Sequence, residues 1–260
     1  MAGNGRRLFG KSEMRKIDAH AHVGEFGSWC GVAITAAEMA REMGLYGIER
    51  AIVSYPDNRV ALDAQECFPG KLCALAWMNP TLPSAADEFR YLSGKGSVSG
   101  LKLHPLFNAY TANDECVFPL MEEAVLRDLP VFVHSGHPPF SLPWSIGQLA
   151  REFPKARVVM VHMGHGHGVY IQAAIDVART LDNVWLENSG MPMHTKIAEA
   201  YRRVGSGRIF WGSDVPFHHY AVEILRTEVS GLDRVQLEDV FYWNIAKFMG
   251  WERQGGAPAA

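Results

Sequence analysis

Short apolar runs recur along the chain roughly every 25–30 residues, which is the length of a strand, a loop and a helix. Each run is rich in Val, Ile, Leu, Phe or Ala and is followed by polar residues or glycine. We interpret the runs as eight buried strands of a parallel sheet. The predicted strands are Lys16–His22, Arg50–Ser54, Leu72–Met78, Ser99–His104, Pro130–His134, Arg157–His162, Asn183–Asn188 and Arg208–Asp214.

The segments between these runs have the apolar spacing of amphipathic helices. Thr35 and Glu38 form a capping-box pattern at the start of the first helix. Further predicted helices are Asp114–Arg127, Pro143–Phe153, Val169–Leu181, Met193–Val204, Tyr220–Val229 and Glu238–Met249.

Eight alternating units predict an α/β fold with a single (β/α)8 TIM barrel. The 260 residues suit one such barrel, and no linker divides them, so residues 1–260 are predicted to form one domain. Its core runs from about residue 16 to about residue 250, with loose tails at both ends. An open doubly wound sheet is the alternative, but no G-x-G-x-x-G follows a strand.

Composition excludes several classes of function. A net charge of −3, without a basic cluster, argues against nucleic acid and anionic membrane as partners. No apolar run is long enough for a membrane span, and the basic start lacks the apolar region of a secretory signal. Four cysteines without C-x-x-C spacing fit a reducing compartment. We expect a cytoplasmic protein with a small-molecule substrate, and a homodimer is compatible with the sequence.

The eleven histidines lie at the ends of predicted strands or in the stretches just after them, with His194 the most loosely placed. In a TIM barrel, the carboxyl ends of the strands carry the active site. Neutral imidazole is the commonest metal ligand and a common acid or base. The pattern therefore predicts a metal site at the C-terminal ends of the strands.

Five positions are the strongest ligand candidates. His20 and His22 share a face of the first strand and could chelate one cation, or form a hydrogen-bonded core pair. His134 and His162 end the fifth and sixth strands at the same predicted height. Asp214 ends the eighth strand, where a carboxylate could bind metal and accept a proton, or cap a turn.

Lys102 and His104 repeat the two-residue spacing on the fourth strand. A lysine pointing into a barrel is unfavourable unless it is paired, deprotonated or modified. Lys102 could be carbamylated and bridge two metals, remain charged and hold a substrate carboxylate, or extend its ammonium to water.

Other polar and aromatic residues follow the strand ends and are candidates for substrate binding. The polar ones are His104, His137, His218 and Arg59, which is the clearest arginine near the mouth. The aromatic ones lie in the loops after the first, fourth and fifth strands: Trp29, Phe107, Tyr110, Phe140 and Trp144.

Together these segments resemble the amidohydrolase superfamily, in the branch that includes aminocarboxymuconate semialdehyde decarboxylase. The resemblance covers about residues 16–250 and is specific for fold and metal rather than for substrate. It rests on residues 17–22 (IDAHAH), 100–105 (GLKLHP), 131–136 (VFVHSG), 161–164 (VHMG), 212–216 (GSDVP) and 244–250 (NIAKFMG).

The resemblance implies that His20, His22, His134 and Asp214 bind a divalent metal, usually zinc. It implies that His162 is a catalytic base or, with Lys102, a ligand of a second metal. One metal per chain is favoured because this branch is mostly mononuclear, and two remain compatible with the sequence.

We interpret the chain as a metal-dependent hydrolase acting on a small amide, lactone or ester. Asp214 and His162 would orient and deprotonate a metal-activated water that attacks the carbonyl group. The alternatives are a metal-dependent non-oxidative decarboxylase, in which His162 or the same hydroxide protonates a carbon, and a catalytically inactive binding protein. The complete ligand set argues against the last of these.

Overall fold

Eight parallel strands surround the centre of the protein in a computed structural model that describes residues 14–252, except for the side chains of Ser28 and Trp29. The tails assigned from the sequence lie almost entirely outside the described residues. All eight predicted strands are confirmed. They are β1 Lys16–His22, β2 Ile48–Ser54, β3 Leu72–Ala74 continuing as Ala76–Met78, β4 Leu101–Leu103, β5 Val131–His134, β6 Val158–Val161, β7 Val184–Glu187 and β8 Ile209–Phe210.

The strands form a closed ring. Parallel pairing runs from β1 through β3 and from β3 through β8. The two halves of β3 meet at Leu75, whose backbone N–H donates to the carbonyl of Val53. Between β8 and β1, the N–H of Ala19 donates to the carbonyl of Trp211 at 3.0 Å, and the N–H of Asp214 donates to the carbonyl of His20 at 2.8 Å. The predicted (β/α)8 TIM barrel is confirmed.

Each strand is followed by a helix on the outside of the ring. The main helices are α1 Ala36–Tyr46, α2 Asn58–Cys67, α3 Ala85–Gly94, α4 Phe118–Leu126, α5 Pro143–Glu152, α6 Gly168–Thr180, α7 Thr195–Val204 and α8 Tyr220–Glu228. Short helical segments are Gly27–Cys30, Pro105–Asn108, Glu115–Val117, His162–Gly164, Ser206–Arg208, Arg234–Glu238, Asp239–Trp243 and Asn244–Phe248. The capping box of Thr35 and Glu38 is present at the start of α1. A short antiparallel ribbon, Gly24–Phe26 with Val32–Ile34, lies between β1 and α1.

Two apolar layers hold the barrel together. The larger one packs the outer faces of the strands against the helices. The smaller one lies inside the ring, where Ile17, Phe132 and Phe210 pack with Tyr242 and Ile245 of the terminal helical segments. Since the terminal segments contact this inner layer, the opposite, carboxyl ends of the strands are left to form a cavity. None of the helices in residues 14–252 is long and apolar enough to cross a membrane.

A shift in the pairing register of β1 determines which way its two histidines point. The pairing register with β2 shifts between Asp18 and Ala21. Ala19 therefore belongs to the inner apolar layer, whereas Ala21 belongs to the outer one. Bulges of this kind redirect side chains and are common beside active sites. Here the shift brings His20 and His22 to the cavity end of the ring.

Candidate metal centre

Three potential ligands meet where the first and last strands adjoin. His20 Nε2 and His22 Nε2 each lie 3.3 Å from Oδ1 of Asp214. One ligand atom from each of the three residues lies within 4.8 Å of the others. Asp214 adopts a left-handed backbone conformation with φ of 55°, which is uncommon outside glycine. Such strain is found at functional sites, where the surrounding structure enforces it.

The donor set of these three residues fits a divalent cation. Ligand atoms bound tetrahedrally at about 2.0–2.1 Å are roughly 3.3 Å apart, as the two nitrogen–oxygen distances are here. His20 Nε2 is buried and has no hydrogen-bond partner among residues 14–252. His22 Nδ1 lies 3.2 Å from the carbonyl oxygen of Ser54, so Nδ1 donates there and the lone pair of Nε2 faces Asp214.

The electrostatics of the triad favour the forms that bind metal. Burial holds the pKa of His20 well below its ordinary value, so its imidazole is neutral. Burial alone would raise the pKa of Asp214, but interactions with His162, His20 and His22 outweigh it and lower that pKa well below its usual range. Two imidazoles and a carboxylate form a set that manganese, iron and zinc all accept.

Asp18 organises the triad from below without joining it. Its Oδ1 accepts hydrogen bonds from the backbone N–H groups of His20 at 3.1 Å and Ser213 at 2.9 Å. The hydroxyl of Ser213 donates to Oδ2 of Asp18. Burial raises the pKa of Asp18 to about 7 in spite of these bonds. Asp18 therefore fastens β1 to the segment that carries Asp214.

His162 is oriented by its neighbours on β7 and just beyond. Its Nδ1 lies 2.8 Å from the hydroxyl oxygen of Ser189 and 3.2 Å from the carbonyl oxygen of Ser189. A carbonyl oxygen only accepts, so Nδ1 carries the proton. The Ser189 hydroxyl donates in turn to Oε2 of Glu187 at 2.9 Å, and the same oxygen accepts the His162 backbone N–H. Nε2 is thus the nitrogen of His162 that can exchange a proton with a bound molecule.

Glu187 is accommodated only because residue 212 is glycine. A Cβ at Gly212 would lie 2.3 Å from Oε1 of Glu187 and 3.1 Å from the backbone nitrogen of His20. Gly212→Ala should therefore lower the free energy of unfolding by about 1–3 kcal/mol, measured by urea denaturation. At Gly207 a Cβ would meet nothing within 4 Å. Gly207→Ala is the matched control, and an equal loss in both variants would contradict this account.

Lys102 is fully buried, and its Nζ has no hydrogen-bond partner among the described residues. The hypothesis that its head reaches water is therefore wrong. Burial lowers its pKa from 10.5 to about 8, although Asp214 and Glu187 act in the opposite direction. Nζ lies 5.9 Å from the centre of the Trp77 ring. Lys102 is thus a buried ammonium near neutral pH, behind the rings that line the cavity.

A stack of rings forms one wall of the cavity. The Trp77 and His104 rings stack with centroids 5.1 Å apart, and His104 stacks on His134 at 3.9 Å. His134 continues the stack onto His137 at 5.0 Å. The Nδ1 atom of His104 accepts the backbone N–H of Phe107, which fixes the orientation of the His104 ring.

The cavity enclosed by these groups has a volume of about 200 Å³. This is smaller than the roughly 300–1,000 Å³ of typical ligand pockets, so it suits a small molecule. Its lining residues come from the ends of most strands: His22, Trp77, His104, Leu106, His134, His137, His162, His165, Asp214 and Phe217.

His134 lines the same cavity as two residues of the triad, His22 and Asp214. The structure brings together His20, His22 and Asp214, as the sequence predicts. His134 also lies close to His137 and His165, because the loops after β5 and β6 bring these two histidines next to the end of β5.

Several candidate substrate contacts also lie elsewhere. Arg59 lies in the first turn of α2, where its exposed side chain pairs with Asp57 at 3.0 Å, and it does not line the cavity. Trp144 lies on α5 and packs against Tyr170 on the outside of the barrel.

Two of the remaining candidates, Phe107 and His218, are not among the residues that line the cavity. Phe107 packs against the Trp77 ring at 5.5 Å. His218 Nδ1 lies 3.1 Å from Glu223 Oε1, whose proximity raises the pKa of His218. The side chain of Trp29 lies outside the described part of the structure.

Sequence reasoning did not select Trp77, Leu106, His165 or Phe217, although all four line the cavity. Trp77 could have been selected from the sequence, because it lies near the C-terminal end of a predicted strand. Leu106 lies in the short helix Pro105–Asn108, whereas His165 and Phe217 lie in loops, and no periodicity places any of the three.

Comparison with protein-family models gives one match, to the amidohydrolase family, over residues 17–251. The chain belongs to the amidohydrolase family. The match spans every strand of the barrel and all three residues of the triad. Family membership and the donor set together support a divalent metal in this amidohydrolase. No curated protein matches the chain at a significant level.

Solved structures share the barrel of this amidohydrolase at low sequence identity. An uncharacterised TIM-barrel protein from Bordetella bronchiseptica is 16% identical, covers 92% of this chain and 99% of its own, and has a TM-score of 0.76. A 5-carboxyvanillate decarboxylase from Novosphingobium aromaticivorans, with bound manganese, is 14% identical, covers 93% and 99%, and has a TM-score of 0.73. A protein from Pseudomonas putida, provisionally named a 2-pyrone-4,6-dicarboxylic acid hydrolase, is 18% identical, covers 92% and 98%, and has a TM-score of 0.72.

These likenesses establish the fold of the amidohydrolase and leave its reaction to be argued from the site. Further matching structures are decarboxylases of substituted benzoic acids.

Proposed function

We propose that the protein is a metal-dependent, non-oxidative decarboxylase of a small aromatic carboxylic acid. The observation that carries the proposal is the buried Nζ of Lys102, which has no hydrogen-bond partner among the described residues and lies close to a small, ring-walled cavity. A positive charge there attracts a carboxylate, and its effect is strong because the surroundings are dry. The decarboxylases among the similar structures support the same choice.

The cavity itself selects for a flat, single-ring substrate. Trp77, His104 and His134 present stacked faces along one wall. Aromatic rings stack favourably on such faces. No arginine lines the cavity among residues 14–252, so one carboxylate, balanced by Lys102, fits better than two or three.

His20, His22 and Asp214 would hold the divalent cation. When bound, it would polarise the substrate oxygens and stabilise the negative charge that develops as the carbon–carbon bond breaks. Manganese appears in a similar decarboxylase, and the triad accepts manganese and zinc alike. The sequence predicted zinc, and we now expect that the site can bind either manganese or zinc.

His162 would be the residue that donates the proton to the substrate. Its Nε2 takes up a proton and delivers it to the ring carbon that carries the carboxylate. The bond between that carbon and the carboxylate breaks, its electron pair forms the new C–H bond, and the carboxylate leaves as carbon dioxide. Glu187 and Ser189 keep Nε2 directed toward the cavity by fixing the proton on Nδ1.

Hydrolysis, the first interpretation of the sequence, becomes the second candidate. It is favoured by the metal triad and by the similar structure provisionally named a hydrolase. Hydrolysis of a neutral ester or amide has no use for a buried ammonium, and this difference places decarboxylation first.

The experiment follows the fate of the carboxylate. Protein loaded with Mn²⁺ or with Zn²⁺ is incubated in D₂O with 2,6-dihydroxybenzoate or 5-carboxyvanillate, and separately with 2-pyrone-4,6-dicarboxylate and phenyl acetate. We expect release of CO₂ and one deuterium at the carbon that lost the carboxylate, seen by NMR. His162→Asn should abolish this incorporation, whereas His194→Asn, at an exposed position, should not. Turnover of the lactone or ester without CO₂ release would instead establish a hydrolase.

A further inference from the structure

A buried carboxylate on α8 contacts the segment that holds His162. Glu223 lies in the first turn of α8, yet its side chain is only 1% exposed. Its Oε2 accepts the backbone N–H of Gly190, which follows β7, at 3.1 Å. The proposed reaction uses His162, Ser189 and Glu187, and it leaves Glu223 without a part.

This contact reaches His162 through a single peptide group. The N–H of Gly190 and the carbonyl of Ser189 belong to the same trans peptide, so they are coplanar and point in opposite directions. The carbonyl oxygen of Ser189 lies 3.2 Å from Nδ1 of His162, while the N–H at the other edge donates to Glu223. Glu223 therefore sets the direction of the group that accepts the proton of His162.

We propose that Glu223 is a positioning residue for His162. It holds the peptide group between Ser189 and Gly190 so that the proton of the His162 ring stays on Nδ1 and Nε2 faces the cavity without it. The inference rests on the proposed function only for the use of Nε2 in catalysis. The position of the proton is a property of the protein without substrate.

The first support is the choice that the carbonyl makes between two tautomers. Burial lowers the pKa of His162 well below its ordinary value, so the ring is neutral and carries a single proton. The Ser189 hydroxyl, 2.8 Å from Nδ1, can donate or accept, whereas the Ser189 carbonyl can only accept. If the carbonyl turned away, the hydroxyl could donate to Nδ1 and the proton could move to Nε2.

The second support is that the peptide group needs an external restraint. Gly190 has a left-handed backbone with φ of 67°, and a Cβ there would lie 2.7 Å from Cε1 of His218 and 2.8 Å from Nδ1 of His165. Glycine is therefore required at this position, although it has the widest backbone freedom of all residues. The bond to Glu223 restrains a peptide group that glycine alone would leave free to rotate.

The third support is the rigidity of the anchor. Both carboxylate oxygens of Glu223 accept hydrogen bonds from Arg226, and Oε1 lies 3.1 Å from Nδ1 of His218. An ion pair gains little from burial, so pairing with Arg226 does not by itself account for an inaccessible carboxylate. The amide of Asn188 also donates to the Thr227 hydroxyl at 3.1 Å, so α8 holds this segment at two points.

The test reads the tautomer of His162 by two-bond ¹⁵N–¹H NMR in the full chain, labelled with ¹⁵N-histidine and loaded with Zn²⁺. The signals are assigned by their absence from His162→Asn. Glu223→Gln keeps an oxygen within reach of Gly190 but removes the charge, and we expect the wild-type Nδ1–H form. Glu223→Asp keeps a charge for Arg226 but is one methylene shorter, and we expect the Nε2–H form to appear. Glu228→Ala, on the same helix, should leave the signals unchanged.

The Gln and Asp variants separate positioning from ion pairing, and both stay close to glutamate in volume. With a substrate, kcat should fall about 10–100-fold in Glu223→Asp, with little change in KM, and should recover in Glu223→Gln. A wild-type tautomer in Glu223→Asp and an altered one in Glu223→Gln would overturn the proposal, because the charge would then matter and the reach would not. The same tautomer in both variants, altered or unaltered, would also overturn it. Failure to release CO₂ from any substrate would contradict the decarboxylase and leave the tautomer result standing.

Discussion

Replacing Asp214 by asparagine is expected to lower kcat by about 10²–10⁴-fold and to weaken metal binding at the triad. The carboxylate supplies the only negative charge of the three ligands, and its Oδ1 lies 3.3 Å from both imidazole nitrogens. An amide of the same shape removes the charge and leaves a cation facing two neutral rings in a buried site. Steady-state rates of CO₂ release and metal content per chain measure the two effects.

Asp57→Asn is the matched control for Asp214→Asn. Asp57 is half-exposed and caps α2, and asparagine caps helices about as well as aspartate. We expect normal metal content and nearly normal kcat for this control. If Asp214→Asn kept both its metal and its rate, the triad would not be the metal centre.

Replacing Lys102 by methionine is expected to stabilise the metal-free protein while it removes activity. Burial lowers the pKa of Lys102 from 10.5 to about 8, and that difference corresponds to roughly 3 kcal/mol of destabilisation when the ammonium is charged. A thioether of similar length fills the space without a charge. Loss of the substrate's partner should lower kcat/KM by about 10²-fold or more.

The pH dependence of stability tests whether the buried charge of Lys102 is the cause of the destabilisation. Below about pH 8 the folded protein holds the ammonium and carries the full unfavourable energy. Between about 8 and 10.5 the folded protein has released this proton while the unfolded chain still binds it, so wild-type stability rises with pH. The advantage of Lys102→Met in urea denaturation should therefore be largest at pH 7 and fall to about a quarter of that value by pH 10.

The exposed Lys155→Met variant provides the control and should change neither stability nor activity. Loss of metal from Lys102→Met, with no gain in stability, would contradict the free ammonium. That outcome would favour a carbamylated lysine that bridges two metals, and with it hydrolysis.

The barrel was predictable because its buried strands are apolar runs that recur along the sequence at the spacing of a strand, a loop and a helix. His20, His22 and Asp214 were predictable for the same reason, since parallel strands that close into a ring bring their carboxyl ends together. The capping box at Thr35 was a local signal and needed no tertiary information. Helices α2 and α3 gave weaker patterns, because small residues such as Ala61, Ala64 and Ala85 form much of their buried faces.

Loop positions were not predictable in the same way. Contacts of the Gly136 and Gly166 backbones bring His137 and His165 next to His134, and no pattern in the sequence predicts that grouping. Arg59 was expected at the mouth because it follows a strand, yet it lies in the first turn of α2 and pairs with Asp57. The positions of these loop residues are determined by tertiary packing. The spacing of apolar residues along the sequence does not predict that packing.

The junction of β8 with β1 differs from the other seven in its distance along the chain. Neighbouring strands elsewhere are separated by one helix, whereas the bond between Ser213 and Asp18 joins residues 195 positions apart. Bringing such distant segments together is the entropically least favourable contact of the ring. The triad straddles this junction, with two ligands on β1 and one after β8. A cation bound by all three residues would therefore stabilise the contact between β8 and β1. High affinity for that cation requires the ring to be closed, because the three ligands come together only when these two strands are adjacent.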